Sequence, residues 1–256
     1  MDTARVLAVA SAAARAAGAL ILAHSGRAAI AGTKADAADL VTQTDRDCQA
    51  VILDSVRAAF GEAHRFLGEE DVPAGPAAAA AAIAASLALG GVLWVVDPID
   101  GTQNFVHGLP LSCVSIGVAE EGVVAVAVVY DPHRDELFSA VRGGGAHCNG
   151  APMRVAQCGA MREAMFGWGL HHARHVGKTM LRACDTLMDR CRGVRALGSA
   201  ALMVRVAGAS AACAARAAQA RTHLHSPPLH THHARAQHTH THTHTHCRWR
   251  TWRRGA

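Results

Sequence analysis

Two groups of carboxylates in this sequence are spaced as metal ligands would be. The first is Asp97 and Asp100, which follow the apolar segment 92–96 and are separated by Pro98 and one further residue. Pro98 fixes its own φ and Gly101 permits a tight reversal, so both carboxylates can converge on one point. Hard divalent cations prefer carboxylate oxygens. The turn therefore predicts a divalent-metal site, although Asp-Pro and Asp-Gly are also common in ordinary loops.

The second group is the acidic run Glu69-Glu70-Asp71, which follows Gly68 after a short apolar segment. Two acidic turns at strand ends, about thirty residues apart in the sequence, indicate a shared metal site. Thr102, directly after the first turn, lies where a helix could begin, and the N–H groups of a helix N-terminus bind phosphate. The residues thus predict a metal site and a phosphate site side by side.

The elements that position these turns are predicted from hydrophobic periodicity. Residues 3–24 have the spacing of an Ala-rich helix, and 39–42 that of a short extended segment. Thr44 is expected to cap a second helix with Asp45 in its first turn. The low-complexity segment 72–91 is interpreted as a surface connection. The other predicted elements are a strand at 92–96, a hairpin of 113–118 and 123–130 around Glu121-Gly122, a strand at 136–141, a glycine-rich hairpin at 143–150 and a helix at 178–191.

The net charge of +5 is a property of the C-terminal segment. No Asp or Glu follows Asp189, and residues 208–256 contain seven arginines, which leaves 18 basic and 20 acidic residues in 1–207. The main part of the chain is thus slightly acidic, and we do not expect it to bind nucleic acid.

The eight cysteines are scattered without a C-x-x-C pair, which favours reduced thiols in a cytosol-like compartment. The longest apolar run near the N-terminus, residues 16–23, is interrupted by Gly18 and is too short to cross a bilayer. We therefore expect a cytoplasmic protein with no membrane partner, while the Ala- and Arg-rich start leaves an organellar address open.

Three segments, in this order, resemble the inositol monophosphatase family: 39–45 (DLVTQTD), 68–70 (GEE) and 94–105 (WVVDPIDGTQNF). The resemblance runs from about residue 4 to about residue 207. It implies a Mg²⁺-dependent, lithium-sensitive phosphomonoesterase of phosphatidylinositol metabolism, with a layered α-β-α-β-α sandwich fold. The implied division of the chain is an N-terminal α+β metal-binding half (1–142), a partial C-terminal α/β half (143–207) and a disordered tail (208–256).

The resemblance also implies roles for individual residues. Glu69, Asp97 and the carbonyl of Ile99 would hold a first Mg²⁺, and Asp97 with Asp100 a second, of two or three ions. Asp45 and Thr102 would together activate the attacking water, whereas the residues alone favour helix capping for Asp45. The other implied positions are phosphate-binding N–H groups at Gly101 and Thr102, a substrate-contacting turn at Gly198, Ser199 and Ala200, and Lys34 and Glu70 beside the metal and its waters. For Lys34 a solvated surface position is the alternative.

The resemblance breaks after residue 207. The family continues there through an acidic substrate-binding residue to a Trp-Asp-x-Ala-Ala-Gly segment whose aspartate is a metal ligand, and this sequence has no acidic residue there. Instead it has an Ala/Arg-rich stretch and a Thr-His alternation from His238 to His246. Three interpretations stay open for 208–256: an out-of-frame or mis-spliced product, a metal- or anion-binding tail, and an inert disordered extension.

The substrate is left open by these patterns. Inositol monophosphate is the default, with histidinol phosphate and galactose 1-phosphate as alternatives, and a non-catalytic family remnant is the alternative from another class. Family analogy favours a homodimer. The histidines at 171, 172 and 175 do not have the partners of a zinc site, and we expect a solvated helix start there.

Overall fold

The structure, a computed structural model, describes residues 1–27, 30–33, 40–72, 76–155, 157–169, 174–203 and 208–210. In these ranges the helices are α1 (Thr3–His24), α2 (Gln43–Phe60), α3 (Pro76–Ala88), α4 (Thr102–Val106) and α5 (Arg174–Met188). The strands are β1 (Ile30–Thr33), β2 (Leu40–Thr42), β3 (His64–Gly68), β4 (Val92–Asp100), β5 (Cys113–Glu120), β6 (Val123–Asp131), β7 (Glu136–Val141), β8 (Gly145–Cys148), β9 (Ala151–Val155), β10 (Met165–Trp168), β11 (Gly193–Ala196) and β12 (Gly208–Ser210).

An eight-stranded sheet forms the centre of the fold, in the order β12-β9-β8-β7-β6-β5-β4-β3. Neighbours from β4 to β9 are antiparallel, whereas β3 and β4 are parallel. A parallel pair needs a crossover connection, and the segment containing α3 supplies it. Two smaller sheets pair β1 with β2 and, in parallel, β10 with β11. The mixed α/β fold predicted from the sequence is confirmed.

The main core lies between the sheet and the first two helices. α1 packs against β5 and β6, and α2 packs against β3 and β4. The buried face of α1 is mostly alanine, which lets the helix approach closely, and the sheet contributes larger side chains such as Trp94, Ile116 and Val128. This core holds the start of β4, the strand that leads into the acidic turn at Asp97 and Asp100.

The apolar run 16–23 lies within α1, and the whole of this 22-residue helix has the length and apolar composition of one that could cross a membrane. One face of this helix, however, is fully buried in the main core at Val6, Ala10, Ala14 and Ile21. A buried core helix meets the same criteria of length and hydropathy, so these criteria are weak evidence for a membrane span.

The second helix begins earlier than predicted. Thr42, not Thr44, is its N-cap, and Asp45 completes a capping box with it. The backbone N–H and the hydroxyl of Thr42 donate to Asp45 Oδ2 at 2.8 and 2.6 Å. The spacing Thr42-x-x-Asp45 satisfies N–H groups at the helix start, which Thr44 could not do in the same way.

Two other boundaries differ from the predictions. The segment 72–91, interpreted from the sequence as a surface connection, contains α3, because alanine is the strongest helix former and Pro76 suits a first helical position. β4 does not stop at Asp97 but continues to Asp100 across an irregularity in its pairing with β5.

The predicted hairpins are confirmed, including their turns. Glu121 and Gly122 have φ of 50° and 76°, and Asn149 and Gly150 have φ of 50° and 80°. These left-handed values at both central residues are those of two-residue hairpin turns, whose backbone matches the twist of the flanking strands.

The large sheet runs across the predicted boundary at 142/143 through β8 and β9, and β12 pairs with β9 at the start of the predicted tail. The division into two halves and a tail stays a prediction.

Candidate metal and phosphate site

The two acidic turns meet at one edge of the sheet. β3 and β4 are parallel with Gly68 opposite Val96, so Glu69, directly after the end of β3, lies beside Asp97, which continues β4. The structure thus brings Glu69 and Asp97 together, while their role as ligands of one metal site stays a prediction.

Gln49 organises the first of these turns. It lies one helical turn after Asp45 on α2, its Oε1 accepts from the Glu70 N–H at 3.0 Å, and its Nε2 donates to Asp71 Oδ2 at 3.1 Å. Sequence reasoning missed Gln49, although its position four residues after Asp45 places both side chains on one helix face.

Asp45 lies beneath the same turn and is 2% exposed. Burial raises the pKa of Asp45 from 3.8 to about 6, the hydrogen bonds from Thr42 oppose this rise, and the negative charges of Glu70 and Glu69 add to it. Asp45 therefore has both the capping role favoured by the sequence and a place among the acidic residues. Carboxylates grouped in this way are the kind of oxygen donors that attract a divalent cation.

The turn at Asp97–Thr102 is held by its own hydrogen bonds. Asp97 Oδ1 accepts from the Ile99 N–H at 3.1 Å, and the Thr102 hydroxyl donates to the Ile99 carbonyl at 3.0 Å. The Ile99 carbonyl, a predicted metal ligand, thus accepts from Thr102 here, and the Thr102 proton points at Ile99 rather than at Asp45. α4 begins at Thr102 with Gly101 as its N-cap, as predicted.

Asp100 is turned toward the segment 199–201. Its carboxylate accepts from the Ser199 hydroxyl and from the N–H groups of Ala201 at 2.7 Å and Ala200 at 3.3 Å. The buried thiol of Cys113 lies 3.8 Å from Asp100 Oδ2, and burial raises the pKa of this thiol, with the Asp100 charge adding to the rise. The predicted substrate-contacting turn is therefore brought to the site, where two of its residues bind Asp100.

Carboxylate and carbonyl oxygens around Glu69 and Asp97 are the donor set of a hard divalent cation. Within the described ranges, however, no group of three or more His, Cys, Asp or Glu side chains is arranged to hold a metal ion. The donors fit Mg²⁺ by chemical type, and Asp100 would have to share its oxygens between a cation and the 199–201 segment. Lys34 and the histidines at 171 and 172 lie outside the described residues.

The six cysteines in the described part of the chain are free, as the reduced-thiol prediction requires: Cys48, Cys113, Cys148, Cys158, Cys184 and Cys191.

Known proteins share the mixed α/β fold around this site. The sequence matches the inositol monophosphatase family over residues 2–223, and the chain belongs to this family. The match extends beyond residue 207, where the resemblance was expected to end.

Two relatives and one solved structure illustrate the similarity. Inositol monophosphatase 1 of Solanum lycopersicum is 37% identical over 166 residues, covering 64% of this chain and 58% of that protein. A Thermotoga maritima protein named fructose-1,6-bisphosphatase/inositol-1-monophosphatase is 34% identical over 192 residues, covering 75% and 67%. The crystal structure of the extragenic suppressor protein suhB from Bartonella henselae superposes with a TM-score of 0.67 at 30% identity, covering 79% of this chain and 74% of that one. The chain thus spans about three-fifths of the length of the plant relative that it matches.

Proposed function

We propose that this chain is a Mg²⁺-dependent phosphomonoesterase whose substrate is inositol monophosphate. The observation that carries the proposal is the parallel pairing of β3 and β4, which puts Glu69 beside Asp97 at the start of the Asp97–Thr102 turn. Family membership supports the same reaction class, and the names of the relatives support inositol monophosphate as the substrate.

Glu69, Asp97 and the Ile99 carbonyl would hold a first ion, and Asp97 with Asp100 a second, out of two or three in all. A bound Mg²⁺ supplies positive charge at the phosphate and lowers the pKa of a bound water. The N–H groups of Gly101, the N-cap of α4, and of Thr102, its first residue, would bind phosphate oxygens.

The protein's own acid–base group in this proposal is Asp45. A general base works best when its pKa lies near the working pH, and burial places the pKa of Asp45 at about 6. Thr102 would orient the attacking water with its hydroxyl oxygen while Asp45 accepts a proton. This role requires the Thr102 hydroxyl to rotate away from the Ile99 carbonyl, to which it now donates.

The test is release of phosphate from inositol 1-phosphate by the full chain, with and without Mg²⁺, in wild type and in Asp97→Asn. Since charge stabilisation by the metal is worth several kcal/mol, we expect Asp97→Asn to reduce the rate by at least about 100-fold. Asp54→Asn, on an exposed position of α2, is the matched control for loss of one carboxylate and should retain the wild-type rate. Release without Mg²⁺, or equal release by Asp97→Asn, contradicts the proposal.

A second candidate is a family member that binds Mg²⁺ without turnover. One observation favours it: no Asp or Glu follows Asp189 in this sequence. Mg²⁺ binding by titration calorimetry, combined with no phosphate release, identifies this second candidate.

If turnover is found, parallel assays with histidinol phosphate and galactose 1-phosphate assign the substrate. The free cysteines support a cytosolic location.

A further inference from the structure

The side chain of Asn104 links its own helix, α4, to two separate loops. Its Nδ2 donates to the Leu111 carbonyl and to the Leu197 carbonyl, both at 2.8 Å. A primary amide has two N–H donors, so both are used, each on a different loop. Asn104 itself belongs to α4, directly after the Asp97–Thr102 turn. Asn104 therefore connects α4, the entry to β5, and the segment after β11.

The backbone around Asn104 is packed too closely for larger residues. A Cβ on Gly198, which has φ of 68°, would lie 2.8 Å from Asn104 Nδ2. A Cβ on Gly101, which has φ of 92°, would lie 2.8 Å from the Leu111 carbonyl oxygen and 3.2 Å from Ser199 Cβ. Both glycines take left-handed conformations at the same junction. The contact between the loops therefore depends on these glycines as well as on the Asn104 amide.

The junction determines what Asp100 can contact. Leu197, which accepts from Asn104, lies two residues before Ser199, whose hydroxyl donates to Asp100. The Leu202 N–H in turn donates to Ser199 Oγ at 3.3 Å, so Ser199 links Asp100 to the start of the next helical turn. If Asn104 released Leu197, the donors on Ser199, Ala200 and Ala201 would no longer be held against Asp100.

We propose that Asn104 is a positioning residue that fixes the Asp100 carboxylate by holding residues 197–201 against it. Its part in metal binding rests on the proposed function, in which Asp100 is a ligand. The hydrogen-bonding part is independent of that function. Groups that orient a metal ligand typically change metal affinity by 10–100-fold when they are removed.

The direct test is amide hydrogen exchange of the full chain without metal, in wild type and Asn104→Ala. Loss of two hydrogen bonds at the junction should speed exchange of the Ala200, Ala201 and Leu202 amides by about tenfold or more. The matched control is Asn149→Ala. Asn149 also joins two backbone groups with its side chain, accepting from Leu137 N–H and donating to the Asp135 carbonyl, each at 2.8 Å, in a hairpin turn outside the site. In Asn149→Ala the exchange of residues 200–202 should equal that of the wild type.

A second measurement tests the connection to Asp100. Titration calorimetry with Mg²⁺ alone should give a Kd at least about tenfold higher for Asn104→Ala than for wild type, and an unchanged Kd for Asn149→Ala. Unchanged exchange at 200–202 in Asn104→Ala overturns the proposal, and so does faster exchange with an unchanged Mg²⁺ Kd.

If Asn104→Ala does not fold, Asn104→Asp replaces it. This variant keeps the side-chain shape but has no N–H donors for the two carbonyls, so it should show the same faster exchange. A wild-type protein that neither binds Mg²⁺ nor releases phosphate refutes the proposed function. The exchange comparison then still decides whether Asn104 holds the 197–201 segment.

Discussion

The buried carboxylate of Asp45 should make folding stability depend on pH in a defined direction. Burial raises the pKa of Asp45 from 3.8 to about 6, so the folded protein holds this proton more tightly than the unfolded chain does. The contribution of the protonated Asp45 side chain to the free energy of unfolding is therefore fully present below about pH 4 and is lost as the pH rises through about 6. The difference between a pKa of 3.8 and one of about 6 corresponds to about 3 kcal/mol.

Replacing Asp45 with Asn removes this titration while an amide oxygen still accepts from the Thr42 N–H. We expect the stability of Asp45→Asn relative to wild type to rise by about 3 kcal/mol between pH 4 and pH 7, and then to stay level. The measurement is urea unfolding at several pH values in the presence of a chelator, so that no cation neutralises Glu69 and Glu70. Asp54→Asn, exposed on the same helix, controls for loss of a negative charge. A difference that falls with pH, or does not change, refutes the reasoning.

Two further predictions concern the turn and the core behind it. Gly101→Ala should lower the free energy of unfolding by about 2–3 kcal/mol. The reason is that Gly101 has φ of 92° and that a Cβ there would lie 2.8 Å from the Leu111 carbonyl oxygen. An unchanged midpoint of urea unfolding would contradict this clash. Trp94 Nε1 donates to His64 Nδ1 at 3.1 Å, and burial, helped by the charge of Arg5, lowers the pKa of His64. The stability that the neutral His64 ring contributes is thus present above pH 6.5 and is lost as the pH falls through the lowered pKa. Protonation of His64 should also change the fluorescence of Trp94, and Trp94→Phe should remove this change.

The parts of the fold that the sequence predicted are those with strong local signals. The 3–24 helix and the hairpin around Glu121-Gly122 have clear periodicity and a turn that demands left-handed φ. α3 was missed because an almost uniform alanine sequence has no periodic contrast between faces, although its helix propensity is high. The N-cap was misplaced by two residues because Thr42 and Thr44 are chemically alike, and only the reach to Asp45 distinguishes them.

The candidate site was predictable in its residue types and less so in its contacts. Glu69 and Asp97 could be predicted to share a site because each directly follows an apolar segment that was predicted as a strand. The hydrogen bond from Ser199 to Asp100 joins residues 99 positions apart, and nothing local in either segment specifies it. Asn104 was missed for the same reason, since its two acceptors are backbone carbonyls that any residue could supply.

The strand order also implies that the sheet can fold before the site around Asp100 is assembled. Strands β4 to β9 pair with their neighbours in sequence, so this part of the sheet can form by successive local closures, which are fast. The contact of Asp100 with Ser199 closes a far longer loop and has a larger entropic cost. We therefore expect mild denaturant to abolish amide protection at Ala201 while the far-ultraviolet circular dichroism of the sheet is still intact; simultaneous loss of both signals would contradict this order. A sample that appears folded by circular dichroism can thus still lack the arrangement on which its chemistry depends.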